Sequence, residues 1–132
     1  MARSVNEKEY ALKRNQILDV TQRLVYTKGY EQMAIQDILS ELQISKGAFY
    51  HYFDSKPDLL EALIERSGQE ALQLLTPIVE DPHLPALDKL QRFFDTANRW
   101  KTARKTLMLE LLHVWYADHN AIVRQKMLAM NL

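Results

Sequence analysis

The chain has 132 residues, 47% of them hydrophobic, with 17 basic and 17 acidic side chains and no Cys. That length suits one domain or two small units with enough apolar side chain for a core. The lack of Cys excludes a disulfide framework and a thiolate metal site; with no run of about 18 apolar residues and no basic-then-apolar leader, neither a membrane span nor a signal peptide is expected, and a cytoplasmic location fits.

The formal net charge is zero, whereas a nucleic-acid-binding domain is usually basic. Residues 1–56 carry eight Lys or Arg against seven Asp or Glu, net +1. Any grip on a polyanion must therefore come from where a few charges point. Three Gly, four Pro and the absence of strict apolar alternation predict an all-α protein.

Residues 1–8, MARSVNEK, are polar and read as a loose arm. A first helix is expected from about Glu9 to Lys28, with Ile17, Thr21, Leu24 and Val25 on one face. Lys28-Gly29 ends it, a cation in the last turn followed by a residue suited to the left-handed cap. Ile35, Ile38, Leu39 and Leu42 mark a second, short amphipathic helix. Ser45 is a good N-cap for a third, Lys46 to about Phe53, and Ile44 with Phe49 has the spacing of a hydrophobic staple.

Ser55 and Asp58 open a fourth helix with capping-box spacing, and Pro57 is tolerated in its first turn. Its apolar pattern reaches about Leu75, across Gly68. Asp81-Pro82-His83-Leu84-Pro85 is a loop. A fifth helix carries Leu87, Leu90, Phe93, Phe94, Ala97 and Trp100, and a sixth carries Leu107, Met108, Leu111, Leu112 and Trp115. Asp118-His119-Asn120 reads as a turn, and a seventh helix starts near Ala121 and is still running at Leu132.

Two short helices joined by a tight turn, the second well capped, form a helix-turn-helix. Such a second helix enters the DNA major groove. Gly47 and Ala48 are small enough for close approach; Ala48 suits a thymine methyl and Lys46 suits guanine O6 or N7. The crowded rings at 49–53 separate by helical geometry. Phe49 and Phe53, at i and i+4, share a face and belong to the core. Ala48, His51 and Tyr52 fall on the other side, with Tyr50 at its edge. Tyr and His bond phosphate oxygens without adding net charge. Lys56 lies in the first turn of helix four, where free N–H groups favour an anion. The bland alternative for these groups is a solvated, partly packed patch.

Residues 13–64 resemble the DNA-binding domain of the TetR-type transcriptional regulators, through ILDV…L…KGY, the I-x-D-I of Ile35 to Ile38, ISKGAFYHYFDSK at Ile44 to Lys56, and the DLL that follows. The resemblance implies a bacterial or archaeal cytoplasmic protein that binds palindromic double-stranded DNA operators as a homodimer. It usually represses, and a small effector bound in a C-terminal helical domain releases it. On this basis Lys46, Gly47 and Ala48 approach base edges, while Tyr50, His51, Tyr52 and Lys56 follow the sugar-phosphate backbone. Gln36 on helix two also reaches DNA, and Ser45 at the start of helix three is counted with them. The domains expected are a three-helix DNA-binding domain at 1–56 and a partial ligand-binding and dimerisation domain at 57–132.

Three departures stand out. Met33-Ala34 occupies the place where the family usually has Thr or Ser, which removes a capping hydroxyl worth about 1 kcal/mol. Gln43 stands where the turn usually carries Gly, at roughly 1 kcal/mol if left-handed. The family continues for several more helices, the last two of which pair subunits, so the C-terminal domain reads as incomplete.

In that domain Phe93, Asn98, Trp100, Met108, Leu111, His113 and Trp115 are the candidate ligand-binding residues, an apolar stripe with a few polar groups. Plain helix-helix core gives the same stripe. Arg99, Lys101, Arg104 and Lys105 read as a solvated basic face. Neither H-x-x-x-H nor H-E-x-x-H occurs, and there is no nucleophile elbow or phosphate-binding Gly loop, so no metal, no cofactor and no enzyme activity are expected. The functional alternative is a helical ligand-binding or protein-interaction module that does not bind an operator.

Overall fold

The computed structural model describes residues 2–115 with Gln125, Leu128 and Ala129, and only the backbone at 2–4, 111, 114 and 115. Every regular element described is a helix: α1 (Ala2–Lys28), α2 (Ile35–Leu42), α3 (Lys46–Tyr50), α4 (Lys56–Val79), α5 (Ala86–Ala103) and α6 (Lys105–Trp115). No helix among the described residues is long and apolar enough to cross a membrane. The expected turn at Asp118-His119-Asn120 and most of the seventh helix lie outside the described residues.

The chain divides into two compact units, 1–63 and 64–132. Roughly the first two turns of α4 therefore go with the N-terminal unit. Their side chains Leu59, Leu60, Ala62 and Leu63 are all buried.

In the N-terminal unit, α1 supplies buried Ile17, Leu18, Thr21, Leu24 and Val25, and the Thr21 hydroxyl donates to the Ile17 carbonyl at 2.7 Å. The helix begins at Ala2, so the stretch expected to be a loose arm forms its first turns. No Gly or Pro interrupts residues 2–28, and Lys13 pairs with Glu9 one turn earlier at 3.5 Å. Gly29 ends α1 at φ 83. Tyr30 and Met33 of the following loop are buried.

Helix α2 buries Ile38 and Leu39 and ends on Gln43, at φ 52 and ψ 47. This is the left-handed cap that satisfies the Leu39 carbonyl, to which Ile44 N–H also donates at 3.1 Å. At its start Ala34 has no side chain to cap with, and Asp37 takes over half of the task. The Asp37 carboxylate accepts from Ala34 N–H at 2.9 Å and pairs with Lys28 Nζ at 3.3 Å. The backbone bond from Ala34, then Lys28, holds the Asp37 carboxyl below its ordinary value.

Helix α3 is capped by Ser45, whose Oγ accepts from Ala48 N–H at 3.1 Å. It ends at Tyr50 rather than Phe53, although Tyr52 and Phe53 N–H still donate to the Phe49 carbonyl at 2.9 and 3.1 Å. The Asp58 N–H donates to Ser55 Oγ at 3.4 Å, which starts α4 as expected. That helix runs past Leu75 to Val79, with Pro77 in its last turn.

In the C-terminal unit the 81–85 loop is stiffened by His83 N–H donating to Asp81 Oδ1 at 2.9 Å. Among the described residues this unit buries Ile64, Ser67, Trp100 and Leu107. Leu72, Leu74, Val79, Leu87, Leu90, Phe94, Leu109 and Leu112 are exposed.

Two stability predictions follow from the ends of α2. Gln43→Gly removes the left-handed strain and should raise stability by about 1 kcal/mol, read as a later denaturant midpoint with unchanged slope. The folded Asp37 pKa is depressed, so its contribution is complete above the ordinary value of 3.8 and is lost as pH falls through the folded value. Asp37→Asn should therefore lose less thermal stability than wild type on acidification from about pH 5 to about pH 2.

Candidate nucleic-acid interface

A helix of five residues does not persist in water by itself. Its position is set by Phe49, which is fully buried, and by Phe53 just after it, their rings 6.1 Å apart. Burying a Phe is worth roughly 1.5–3 kcal/mol. With that face turned inward, Ser45, Lys46, Gly47, Ala48, Tyr50 and His51 are exposed, and Tyr52 is half-buried.

Each expected contact residue can be placed. Lys46 is exposed and has no ion-pair partner among the described residues. Ser45 uses an oxygen lone pair as the cap, leaving its O–H free to donate. Tyr50 stands edge-on to Phe49 at 5.4 Å. Gln36 is exposed on α2, its amide donating to Ser40 Oγ at 3.1 Å.

Gly47 is the informative position. A Cβ there would meet only Ser45 Oγ, at 4.0 Å, an ordinary contact. Its backbone is right-handed helix, so neither conformation nor packing inside the protein requires glycine. Gly within a helix costs roughly 0.5–1 kcal/mol relative to Ala.

Lys56 is not the free solvated cation its helix-start position suggests. It is half-buried, its Nζ donates to the Glu31 carbonyl at 3.4 Å, and it lies 4.5 Å from the centroid of the Tyr30 ring. Burial lowers its pKa, while Glu31 and Asp37 oppose the shift. The ammonium thus ties the start of α4 to the loop after α1, a role that periodicity does not reveal.

Two further residues escaped the sequence reading. Tyr10 of α1 lies against His51 and Tyr52, and Arg14 lies 4.9 Å from the centroid of the Phe53 ring. Tyr10, Arg14 and Ile17 have i, i+4, i+7 spacing within the helix expected from Glu9 to Lys28.

Of the C-terminal candidates, Trp100 is buried, Phe93 and Met108 are half-buried, and Asn98 and His113 are exposed. Phe93 stands edge-on to Phe94 at 5.6 Å. Leu111 and Trp115 lie on α6, their side chains outside the described residues. Trp100 Nε1 is buried with no acceptor among the described residues. Arg104 leaves the expected basic face: it lies 5.2 Å from the centroid of the Trp100 ring and bonds Glu70 at 2.5 Å.

An all-helical chain that presents a capped, outward-facing second helix after a tight turn defines a helix-turn-helix protein. Residues 17–63 match the sequence pattern described as bacterial regulatory proteins, tetR family. An uncharacterised HTH-type transcriptional regulator of Lactococcus lactis subsp. lactis is 46% identical over 52 residues, 39% of this chain and 26% of that protein. The HTH-type transcriptional repressor DhaR of Mycobacterium sp. (strain GP1) is 25% identical over 81 residues, 61% of this chain and 41% of that protein. A crystal structure of a TetR/AcrR family member superposes with TM-score 0.73 at 27% identity, covering 92% of this chain and 64% of the other. Residues 17–63 are thus similar to the N-terminal domain of TetR-type regulators, and the fold of the chain is similar to that of a TetR/AcrR family member. The chain spans well under half the length of these two curated relatives.

The open space at Gly47 yields a test of the free protein. Gly47→Ala should keep the fold and raise its stability by up to about 1 kcal/mol, measured as a later denaturation midpoint.

Proposed function

We propose that the chain acts in the cytoplasm as an operator-binding transcriptional repressor. Helix α3 reads the major groove, and a homodimer spans two half-sites of a palindrome about 34 Å apart. Lys46, Gly47 and Ala48 meet base edges; Gln36, Ser45, Tyr50, His51, Tyr52 and Lys56 hold the sugar-phosphate backbone. The observation that carries this reading is Gly47: an exposed glycine in a recognition-type helix, which the protein interior does not need, leaves room for another molecule's surface against the backbone. The repressor sign is supported by the name of the relative DhaR.

The C-terminal unit takes a small apolar or amphipathic effector. Trp100 supports this, because an unsatisfied buried donor costs about 1–3 kcal/mol, which an acceptor oxygen on a ligand would recover.

Operator selection from a randomised duplex pool, at two salt concentrations, tests the reading. A specific duplex should be enriched, with affinity falling steeply as salt rises. Lys46→Ala should relax preference at one base pair by about 1–3 kcal/mol and leave stability unchanged. Lys56→Ala should weaken all duplexes, lower the magnitude of the salt slope by about 0.9 and also lower stability, because Lys56 ties down the Glu31 loop. Gly47→Ala should weaken binding despite its more stable fold. If no duplex is enriched at low salt, the helical ligand-binding or protein-interaction module takes its place.

A further inference from the structure

Three rings on the N-terminal unit touch one another. The Tyr10 ring lies 4.8 Å from Tyr52, tilted by 34°, and 5.6 Å from His51, nearly perpendicular at 84°. His51 and Tyr52 close the set at 5.1 Å and 80°. Tyr10 comes from α1 and lies outside the stretch that matches the family, whereas His51 and Tyr52 follow the last residue of α3.

His51 is exposed at the C-cap of a five-residue helix, where a lone side chain would sample several rotamers. Packed edge-to-face against two rings, it has one favourable setting. Tyr10 is 39% exposed and is not one of the buried core side chains. It can be altered without opening a cavity.

We infer that Tyr10 is a positioning residue for DNA binding: it holds the His51 and Tyr52 rings in the arrangement in which they meet phosphate, so that little ordering is left for the moment of association. This rests on the operator reading above. On this account the N-terminal turns of α1, polar and unremarkable in periodicity, complete the interface from behind by ring contact, and the Tyr10 hydroxyl itself is dispensable.

The test uses the full chain and the duplex that the wild type enriches. Tyr10→Ala should bind that duplex about fivefold to tenfold more weakly, with a thermal midpoint close to wild type. Tyr10→Phe, which keeps the ring, should bind as wild type. In a His51→Ala/Tyr52→Ala background, Tyr10→Ala should cause no further loss. In the DNA-free protein, the His51 and Tyr52 ring resonances should shift in Tyr10→Ala and stay in place in Tyr10→Phe.

Wild-type affinity in Tyr10→Ala, with His51→Ala/Tyr52→Ala weakened, overturns the inference and leaves the operator reading standing. An equal loss in Tyr10→Phe also overturns it, because the hydroxyl would then be touching DNA directly, as does a loss that persists in the double-variant background. Undiminished binding by His51→Ala/Tyr52→Ala, or a wild type that enriches no duplex, overturns the phosphate assignment and this inference together.

Discussion

The N-terminal unit depends on the burial of Phe49. Helix α3 has five residues, too few for backbone hydrogen bonds to offset the entropy of ordering them. The Ser45 cap satisfies one amide, and the other stabilisation comes from tertiary contact. Because Phe49 faces inward, helical geometry turns Ala48 and Tyr50, each about 100° away, off the buried side, and Lys46 is exposed at the first position of the helix. Phe53, with Arg14 stacked on its ring, extends the same anchoring into the turn before α4.

On the operator reading proposed above, anchoring of this kind explains how a chain of zero net charge can be arranged to meet a polyanion. The cations are few, so their settings matter more than their number. Lys28 pairs with Asp37, Arg23 with Glu41 and Lys13 with Glu9. Lys46 is exposed with no ion-pair partner among the described residues, and Lys56, the first residue of α4, is docked on Tyr30 and the Glu31 carbonyl. Division of the cations between bracing and presentation is a property of the folded unit that no residue count conveys.

The departures at the ends of α2 illustrate how local deficits are absorbed. Ala34 offers no hydroxyl, yet Asp37 reaches back to its amide and also pairs with Lys28. Gln43 adopts the left-handed cap at a cost that a glycine would avoid. Buried Ile38 and Leu39 offset that strain, since each is worth roughly as much as the penalty or more. The C-terminal unit has less to draw on among the described residues, where Trp100 and Leu107 are buried while Leu87 and Phe94 are not.

Periodicity and capping were enough to place α2, the start of α3, the start of α4 and the 81–85 loop, because each is set by nearest neighbours: an apolar i, i+3, i+4 stripe, a Ser at an N-cap, a pair of prolines. The inward placement of Phe49 and Phe53 was legible for the same reason. What the sequence by itself could not determine are the partners supplied from far along the chain. Tyr10 meets His51 and Tyr52, and Lys56 meets Glu31, across separations that spacing rules do not span. Nor could it separate the Arg104 that lies over Trp100 from its solvated neighbours, since a basic side chain reads the same until a carboxylate and a ring are brought against it. Local chain stereochemistry determined where the helices start and which side of α3 is apolar; the packing of distant segments decided that α3 is held at all, which of its side chains are fixed and which stay exposed.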